Sequence, residues 1–255
     1  MEVQRQRPIF ALARTGYEAL FHLRPDDNDY VVARIADLYP TPSQPGMRVG
    51  VHVRHGDRHP LEFQYRGSYI PLDRYLSAAH DLISTTYNTS RQHKSGDRSS
   101  FESRSSIILA SDDPDVYTSP EFADATRAQE RIALASKSVL DAAAEADHPD
   151  SSRPFVDESI GWEGGFFSAL FWTLGATARR DLAPPSELAL KLRELVGRTY
   201  LMDLKVLGEG TDGIVCGVSA IGCRLLAVML GWDKAIAGGA WQNVDGDFDW
   251  KGIVW

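Results

Sequence analysis

Residues 52–60 hold the densest group of chemically active side chains in this sequence. They read His-Val-Arg-His-Gly-Asp-Arg-His-Pro, which places three of the seven histidines and two arginines together in a chain with a formal charge of -8. A guanidinium group binds phosphate through a planar fork of N–H donors, so this density suits a diphosphate. The residues also fit an exposed turn in which Asp57 pairs with an arginine, as most charge clusters do.

A metal site is the third interpretation of this segment. His52, His55 and His59 have spacings of three and four, which suit a helix, but the segment follows a predicted strand and its interleaved arginines would repel a cation. Residues 245–249 resemble the start of a calcium loop or an Asp-X-Asp motif, but the sixth position holds Trp250 instead of glycine. The sequence therefore predicts no metal site and no metal cofactor.

Two further groups of acidic residues are candidates for ligand contacts. Ser111-Asp112-Asp113-Pro114 follows an apolar run, and its carboxylates would hold sugar hydroxyls, orient the arginines or simply begin a helix. Asp203 interrupts the apolar series Tyr200–Leu204, and a carboxylate in a buried element needs a partner. That partner would be either a donor in the core or the N–H groups of a ligand.

Apolar runs that alternate with helical periodicity predict the elements that position these groups. Strands are predicted at 48–53, 107–110, 132–135 and 213–218, and helices at 9–22, 28–38, 72–84, 163–174, 186–197 and 220–230. Such an alternation predicts an α/β fold, a Rossmann-like parallel sheet flanked by helices, in a single domain over residues 1–255. Residues 1–45 form a helical lead-in, 86–105 and 141–154 are polar insertions, and 233–255 form a tail. In parallel sheets ligands bind at the carboxyl ends of strands, where the segments after 53 and 110 lie.

Composition excludes several classes of function. The chain has 27 basic and 35 acidic residues, which argues against a nucleic-acid-binding surface. No glycine-rich dinucleotide motif or P-loop is present, and no secretory signal is visible. The most apolar segment, 213–232, contains Arg224 and several glycines, so it predicts a buried strand and helix instead of a membrane span. Cys216 and Cys223 lie in this segment, as small apolar residues or as a disulfide that would imply a secretory compartment.

Several short motifs, in one order over residues 48–232, resemble those of the α-1,6-fucosyltransferases and their chitin-oligosaccharide-modifying relatives. Residues 52–58 resemble that family's His-Val-Arg-Arg-X-Asp-Lys motif, and Glu62 falls where the family carries a catalytic glutamate. The other similar segments are 70–75, 109–114, 201–204, 212–216 and 219–224, the last two with cysteines at the family's separation. The resemblance implies the donor-binding half of a GT-B-like glycosyltransferase that transfers fucose from GDP-fucose to a glycan, with inversion and without a metal.

The resemblance also assigns roles to individual residues. Arg54 would bind the diphosphate with His52 beside it, and Arg58, in place of the family's lysine, would help to stabilise the departing diphosphate. Glu62 would act as general base or position the acceptor hydroxyl. The remaining donor-binding residues would be Asp57, Asp112, Asp113, Asp203 at the guanine edge and Ser219 near a phosphate at a helix start. Cys216 and Cys223 would form a disulfide.

The chain departs from the family pattern at several positions. His55 replaces the motif's second arginine, and Ala220-Ile221 replace a Ser-Gln pair. Family members carry a further α/β domain and a membrane anchor before the first motif, and the resemblance implies the Golgi lumen, or the cytoplasm if the chain is complete. The expected partners are a nucleotide sugar and a glycan or glycoprotein acceptor, and no nucleic acid. The alternatives are a nucleotide-sugar-binding domain without transfer activity, or a relative in fold that binds no nucleotide.

Overall fold

The computed structural model describes residues 2–39, 46–55, 64–65, 68–91, 97–132 and 187–251. Its helices are α1 (Glu2–Leu20), α2 (Pro25–Asp37), α3 (Leu72–Arg91), α4 (Arg98–Ser103), α5 (Glu187–Gly210) and α6 (Ile221–Leu230), and its strands are β1 (Arg48–Val53), β2 (Ser106–Ser111), β3 (Thr126–Arg127), β4 (Gly213–Cys216) and β5 (Trp241–Asn243). Two short 3₁₀ helices, Pro114–Thr118 and Pro120–Phe122, follow β2, and a π-helical turn, Asp233–Ala237, follows α6. No helix in these described ranges is long and apolar enough to cross a bilayer.

The five strands form one parallel sheet in the order β3-β2-β1-β4-β5. The chain builds outwards from β1 in one direction and then in the other, so β1 lies at the point where the strand order reverses. The predicted α/β fold, a Rossmann-like parallel sheet flanked by helices, is confirmed. In such sheets a crevice opens at the carboxyl ends of the strands beside this reversal point.

Two apolar cores cover the two faces of the sheet. Alternate residues of β1, namely Val49, Val51 and Val53, are fully buried in the core that includes α3, while the opposite face packs against α1, α5 and α6. Each such valine contributes roughly 1.5–3 kcal/mol of burial free energy. Gly50 lets α5 approach β1 closely, because a Cβ there would lie 3.2 Å from Leu207 Cδ2 of α5.

The first half of the chain differs from the sequence prediction in four places. Helix α1 begins at Glu2, seven residues before the predicted start at residue 9. Helix α2 begins at Pro25, so Asp27 lies in its first turn instead of preceding it, and its buried carboxylate accepts two 2.7 Å hydrogen bonds from Arg198 of α5. These bonds lower the pKa of Asp27. Helix α3 continues to Arg91, inside the segment predicted as a polar loop. That segment also contains α4, which Asp97 caps by accepting from the Ser100 N–H.

The edges of the sheet also differ from the prediction. The structure has a strand of two residues, β3, before the segment 132–135 for which a strand is predicted. Ile132 is in no strand, and 133–135 lie outside the described residues. The segment after residue 232 was expected to be a tail, yet it supplies β5, which pairs with β4. The predicted helix 163–174 and the polar segment 141–154 lie outside the described residues.

Candidate functional site

The candidate site lies where β1 and β2 end side by side. In the parallel register Val53 is opposite Ser111, so the residues that follow, Arg54 and His55 on one strand and Asp112 on the other, leave the sheet together. The two clusters, which lie 58 residues apart in the sequence, therefore meet at the carboxyl ends of these two strands. The strand order reverses at β1, and α/β proteins bind ligands at such a point.

Asp112 connects the two strand ends. Its Oδ2 lies 3.2 Å from Arg54 Nη1, and its Oδ1 accepts a 2.8 Å hydrogen bond from the backbone N–H of His55. The Asp112 side chain is 6% exposed and that of Arg54 is 32% exposed. Burial raises the pKa of the Asp112 carboxyl, against the opposing effects of Arg54 and of the His55 N–H. Asp112 thus holds a guanidinium whose outer part still reaches solvent.

Asp113 holds the imidazole of His55. Its Oδ2 lies 2.7 Å from His55 Nδ1, while its Oδ1 accepts from the N–H of Asp115 and so caps the following 3₁₀ helix. The Tyr69 ring stacks on the face of the His55 imidazole, with 4.1 Å between the ring centroids and 21° between the ring planes. The other ring nitrogen, His55 Nε2, is buried and has no hydrogen-bond partner among the described residues.

His52 is a buried histidine on the face of β1 that packs against α5, opposite to the face that carries Val51 and Val53. Burial, followed by the nearby Arg54 guanidinium, lowers the pKa of His52 from its usual 6.5 to about 3, so the ring is neutral at physiological pH. Its ring lies 6.2 Å from that of Tyr200, and its Nδ1 has no partner among the described residues. Gly222 allows this packing, because a Cβ there would overlap the Tyr200 hydroxyl and lie 3.2 Å from His52 Cε1.

Asp203 lies in the middle of α5, with 5% of its surface exposed. The backbone N–H of Gln129 donates to its carboxylate, and its Oδ1 has no partner among the described residues. Burial raises the pKa of Asp203 well above its usual value, against the opposing effects of Arg127 and the Gln129 N–H. A buried carboxyl group with one free oxygen is destabilising unless a donor reaches it.

A small cavity that is open to solvent lies next to this part of α5. Its lining includes Tyr117, Arg127 and Thr199, and Thr199 is one helical turn before Asp203 on the same side of α5. The Tyr117 hydroxyl accepts from the Ser111 N–H and donates to the Ser111 carbonyl, and the Arg127 guanidinium lies 4.4 Å from its ring centroid. Polar groups and an aromatic ring thus line the cavity between β2 and α5.

Ser219 lies in the turn between β4 and α6, just before Ala220 at the N-cap of α6. Cys216 and Cys223 flank this turn and are paired, with an S–S distance of 2.09 Å. Asn243 of β5 also anchors the turn, because its Oδ1 accepts from the N–H of Val218. The turn is thus fastened to both β4 and β5.

The acidic turn after β5 is held by hydrogen bonds within the protein. Asp245 is fully buried and accepts a 2.8 Å hydrogen bond from the Gln64 N–H. The Asn243 amide donates to the carbonyls of Asp245, Gly246 and Phe248, which closes the turn. Within the ranges that the structure describes, no group of three or more His, Cys, Asp or Glu side chains could hold a metal ion.

The structure brings His52, Arg54, Asp112 and Asp113 together at the carboxyl ends of β1 and β2 and places Asp203 nearby. Asp203 is near because Tyr200, three residues before it on α5, lies with its ring 6.2 Å from that of His52. Asp57, Arg58, His59 and Glu62 lie outside the described residues.

Sequence reasoning missed Tyr69, Tyr117, Arg127 and Tyr200 as members of the site. Only Tyr200 had a usable signal, since it precedes Asp203 by three positions on a helix.

Comparison with models of known protein families gives no match, and comparison with curated proteins gives none either. The fold, the geometry of this site and the resemblance of its motifs are therefore the features that bear on function.

Proposed function

We propose that this protein is a fucosyltransferase-like glycosyltransferase, a GT-B-like donor-binding domain that binds GDP-fucose at the ends of β1 and β2 and transfers fucose to a glycan with inversion. One observation carries the proposal. His52 Nδ1, His55 Nε2 and Asp203 Oδ1 are buried and have no hydrogen-bond partner among the described residues. Since buried polar atoms in native proteins are nearly all hydrogen-bonded, three such atoms around one end of a sheet indicate that a polar ligand belongs there.

Arg54 is the residue best suited to the diphosphate. It follows β1 at the reversal point, Asp112 orients it, and about a third of its side chain is exposed. A guanidinium so held offers paired N–H donors to phosphate oxygens with little loss of side-chain freedom on binding. Ser219, beside the first turn of α6, supplies a hydroxyl on the other side of the same sheet end.

Asp203 is the residue best suited to the base. The hydrogen-bonding edge of guanine carries adjacent N–H donors, which a carboxylate with a free oxygen can accept. Uracil and adenine do not present that pair of donors, so they would leave the buried carboxyl group unsatisfied. Donors from guanine favour the ionised form, so binding would lower the raised pKa of Asp203.

The catalytic roles follow from the resemblance. Glu62 would activate the acceptor hydroxyl, while Arg54 and Arg58 would stabilise the negative charge that develops on the departing GDP. The acceptor is a glycan, alone or on a glycoprotein, and no metal has a role in this scheme. A secretory location agrees with the Cys216–Cys223 pair.

The experiment for this proposal follows GDP-fucose by NMR in the presence of a panel of glycan acceptors. Transfer with inversion at the sugar carbon, abolished in Glu62→Gln and retained in the matched, partly exposed variant Glu121→Gln, supports the enzyme. Binding of GDP-fucose without turnover supports the second candidate, a nucleotide-sugar-binding domain. That candidate is favoured by Ile221, an apolar and 74% exposed residue at the start of α6 where the family carries a polar one. Binding of no GDP ligand contradicts both.

A further inference from the structure

Four neighbouring side chains form a cluster with an unusual charge balance. Arg54 and His55 face Asp112 and Asp113 through the contacts described above, at 3.2, 2.8 and 2.7 Å. With His55 neutral, one guanidinium faces two carboxyl groups, and the ionised cluster is net negative. A diphosphate would meet repulsion there. With His55 protonated the charges balance, and the cluster can accept an anion.

The hydrogen bonds of His55 determine which of its atoms is available. Asp113 accepts from Nδ1–H, and the stacked Tyr69 ring fixes the plane of the imidazole. Nε2 is the remaining ring nitrogen, and it is the buried atom without a described partner. In the neutral ring this nitrogen is an acceptor, which a phosphate oxygen cannot satisfy. In the imidazolium it is a donor, which a phosphate oxygen satisfies fully.

We propose that His55 is a second contact for the diphosphate and that nucleotide binding takes up a proton at its Nε2. The inference rests on the proposed nucleotide site and deepens it. Among the residues that the structure describes, the charged and titratable groups nearest to His55 in the fold are His52 of β1, Arg54 just after β1, Asp112 and Asp113 after β2, and Tyr69 before α3. Histidine is the side chain that most often exchanges protons in ligand binding between pH 5 and pH 8, so pH 6 and pH 8 are the conditions to compare.

The test is calorimetric titration with GDP and with guanosine, at pH 6 and pH 8, in two buffers that differ in ionisation enthalpy. The key comparison is wild type with His55→Arg, which keeps a cation but does not titrate. The phosphate of GDP titrates near pH 6 and Asp203 also exchanges protons, but both effects are common to the two proteins. We expect wild type to take up more protons per GDP than His55→Arg at pH 8. Its affinity should fall about fivefold to tenfold more between pH 6 and pH 8.

A second variant separates contact from folding. His55→Gln keeps a neutral donor near the position of Nε2, and we expect about tenfold weaker GDP binding at pH 6 with unchanged guanosine binding. The exposed His80→Gln on α3 is the matched control and should leave both affinities unchanged. Asp113→Asn can still cap the 3₁₀ helix but removes the charge that favours the imidazolium. Its proton uptake should therefore move to lower pH.

Equal proton uptake and equal pH dependence in wild type and His55→Arg would overturn the inference while leaving the nucleotide site intact. A loss of guanosine binding as well as GDP binding in His55→Gln would also overturn it, because a phosphate contact does not act on the base. Failure of wild type to bind either GDP or guanosine would instead contradict the proposed function itself.

Discussion

Arg54 and Asp112 form an ion pair across the ends of two neighbouring strands, with 3.2 Å between Arg54 Nη1 and Asp112 Oδ2. The pair is not a simple surface contact, because the second oxygen of Asp112 is fixed by the His55 N–H and the carboxyl group is nearly buried. A carboxylate that cannot rotate sets the direction of the guanidinium it binds. Asp112 thus holds Arg54, the group that we propose for the diphosphate, in place before a ligand arrives.

Asp112→Ala tests whether this orientation matters for binding. Loss of the carboxyl group removes the contact that orients Arg54 and the acceptor of the His55 N–H, so GDP affinity should fall about tenfold. Asp112→Asn retains that acceptor and should recover part of the loss. Calorimetry at one pH and salt concentration measures both. Equal or tighter GDP binding by Asp112→Ala would mean that Asp112 competes with the ligand for Arg54 instead of orienting it.

Asp203→Asn should separate stability from function. Because burial raises the pKa of Asp203, the carboxyl group destabilises the folded state above its unfolded pKa of 3.8. The variant should therefore be more stable than wild type at pH 7, by about 1–3 kcal/mol, and the difference should shrink as the pH falls towards 3.8. Denaturant unfolding measures the free energy of unfolding at each pH.

The same variant should bind GDP at least about tenfold more weakly, because an amide cannot accept two N–H donors as a carboxylate does. The matched control is the exposed Asp124→Asn, which should change neither stability nor affinity. An Asp203→Asn protein that is destabilised at pH 7 would show that the carboxylate serves the fold instead of a ligand.

His52 should make the fold sensitive to acid. Its folded-state pKa of about 3 lies below the unfolded value of 6.5, so its contribution to stability is complete above 6.5 and declines as the pH falls towards 3. The slope for one such group is roughly 1.4 kcal/mol per pH unit at most. His52→Asn should flatten this part of the unfolding curve, while the exposed His80→Asn should not. Identical slopes for His52→Asn and wild type would contradict the burial of a neutral imidazole.

Two glycines offer a matched test of packing around His52. In Gly222→Ala the new methyl group meets the Tyr200 hydroxyl and His52 Cε1, so we expect a loss of about 1–3 kcal/mol of stability. Gly197→Ala, on α5, places its methyl group where no other atom lies within 4 Å. It should stabilise the protein by about 0.5–1 kcal/mol through helix propensity. Thermal unfolding compares the two, and a stabilising Gly222→Ala would contradict the close approach of α6 to β1.

The sequence was sufficient for the centre of the fold but not for its edges. Strand β1 matched its prediction at both ends because six residues rich in β-branched side chains follow a Pro/Gly loop. Strand β3 has only two residues, too short for any periodicity, and β5 has three, in a segment that lacks an apolar run. Their pairing with longer strands determines them, and local sequence carries no record of that pairing.

The candidate site was predictable to a similar extent. Arg54 and Asp112 were found because charged residues directly follow apolar strands, and parallel pairing then brings them together. The alternative that made residues 112–114 a helix start also holds in part, since Asp113 caps the 3₁₀ helix. Tyr69 and Arg127 were missed because each reaches the site from a loop or a short strand, through contacts that no spacing in the sequence reveals.

The most direct test of the central claim is calorimetric titration of wild type, Arg54→Ala and Arg98→Ala with GDP and UDP, without added metal. Arg98 pairs with Glu102 on exposed α4 and is the matched arginine control. We expect wild type and Arg98→Ala to bind GDP and not UDP, and Arg54→Ala to lose at least about tenfold in GDP affinity. Equal binding of GDP and UDP, or GDP binding unchanged in Arg54→Ala, would contradict a guanine-nucleotide site at the ends of β1 and β2.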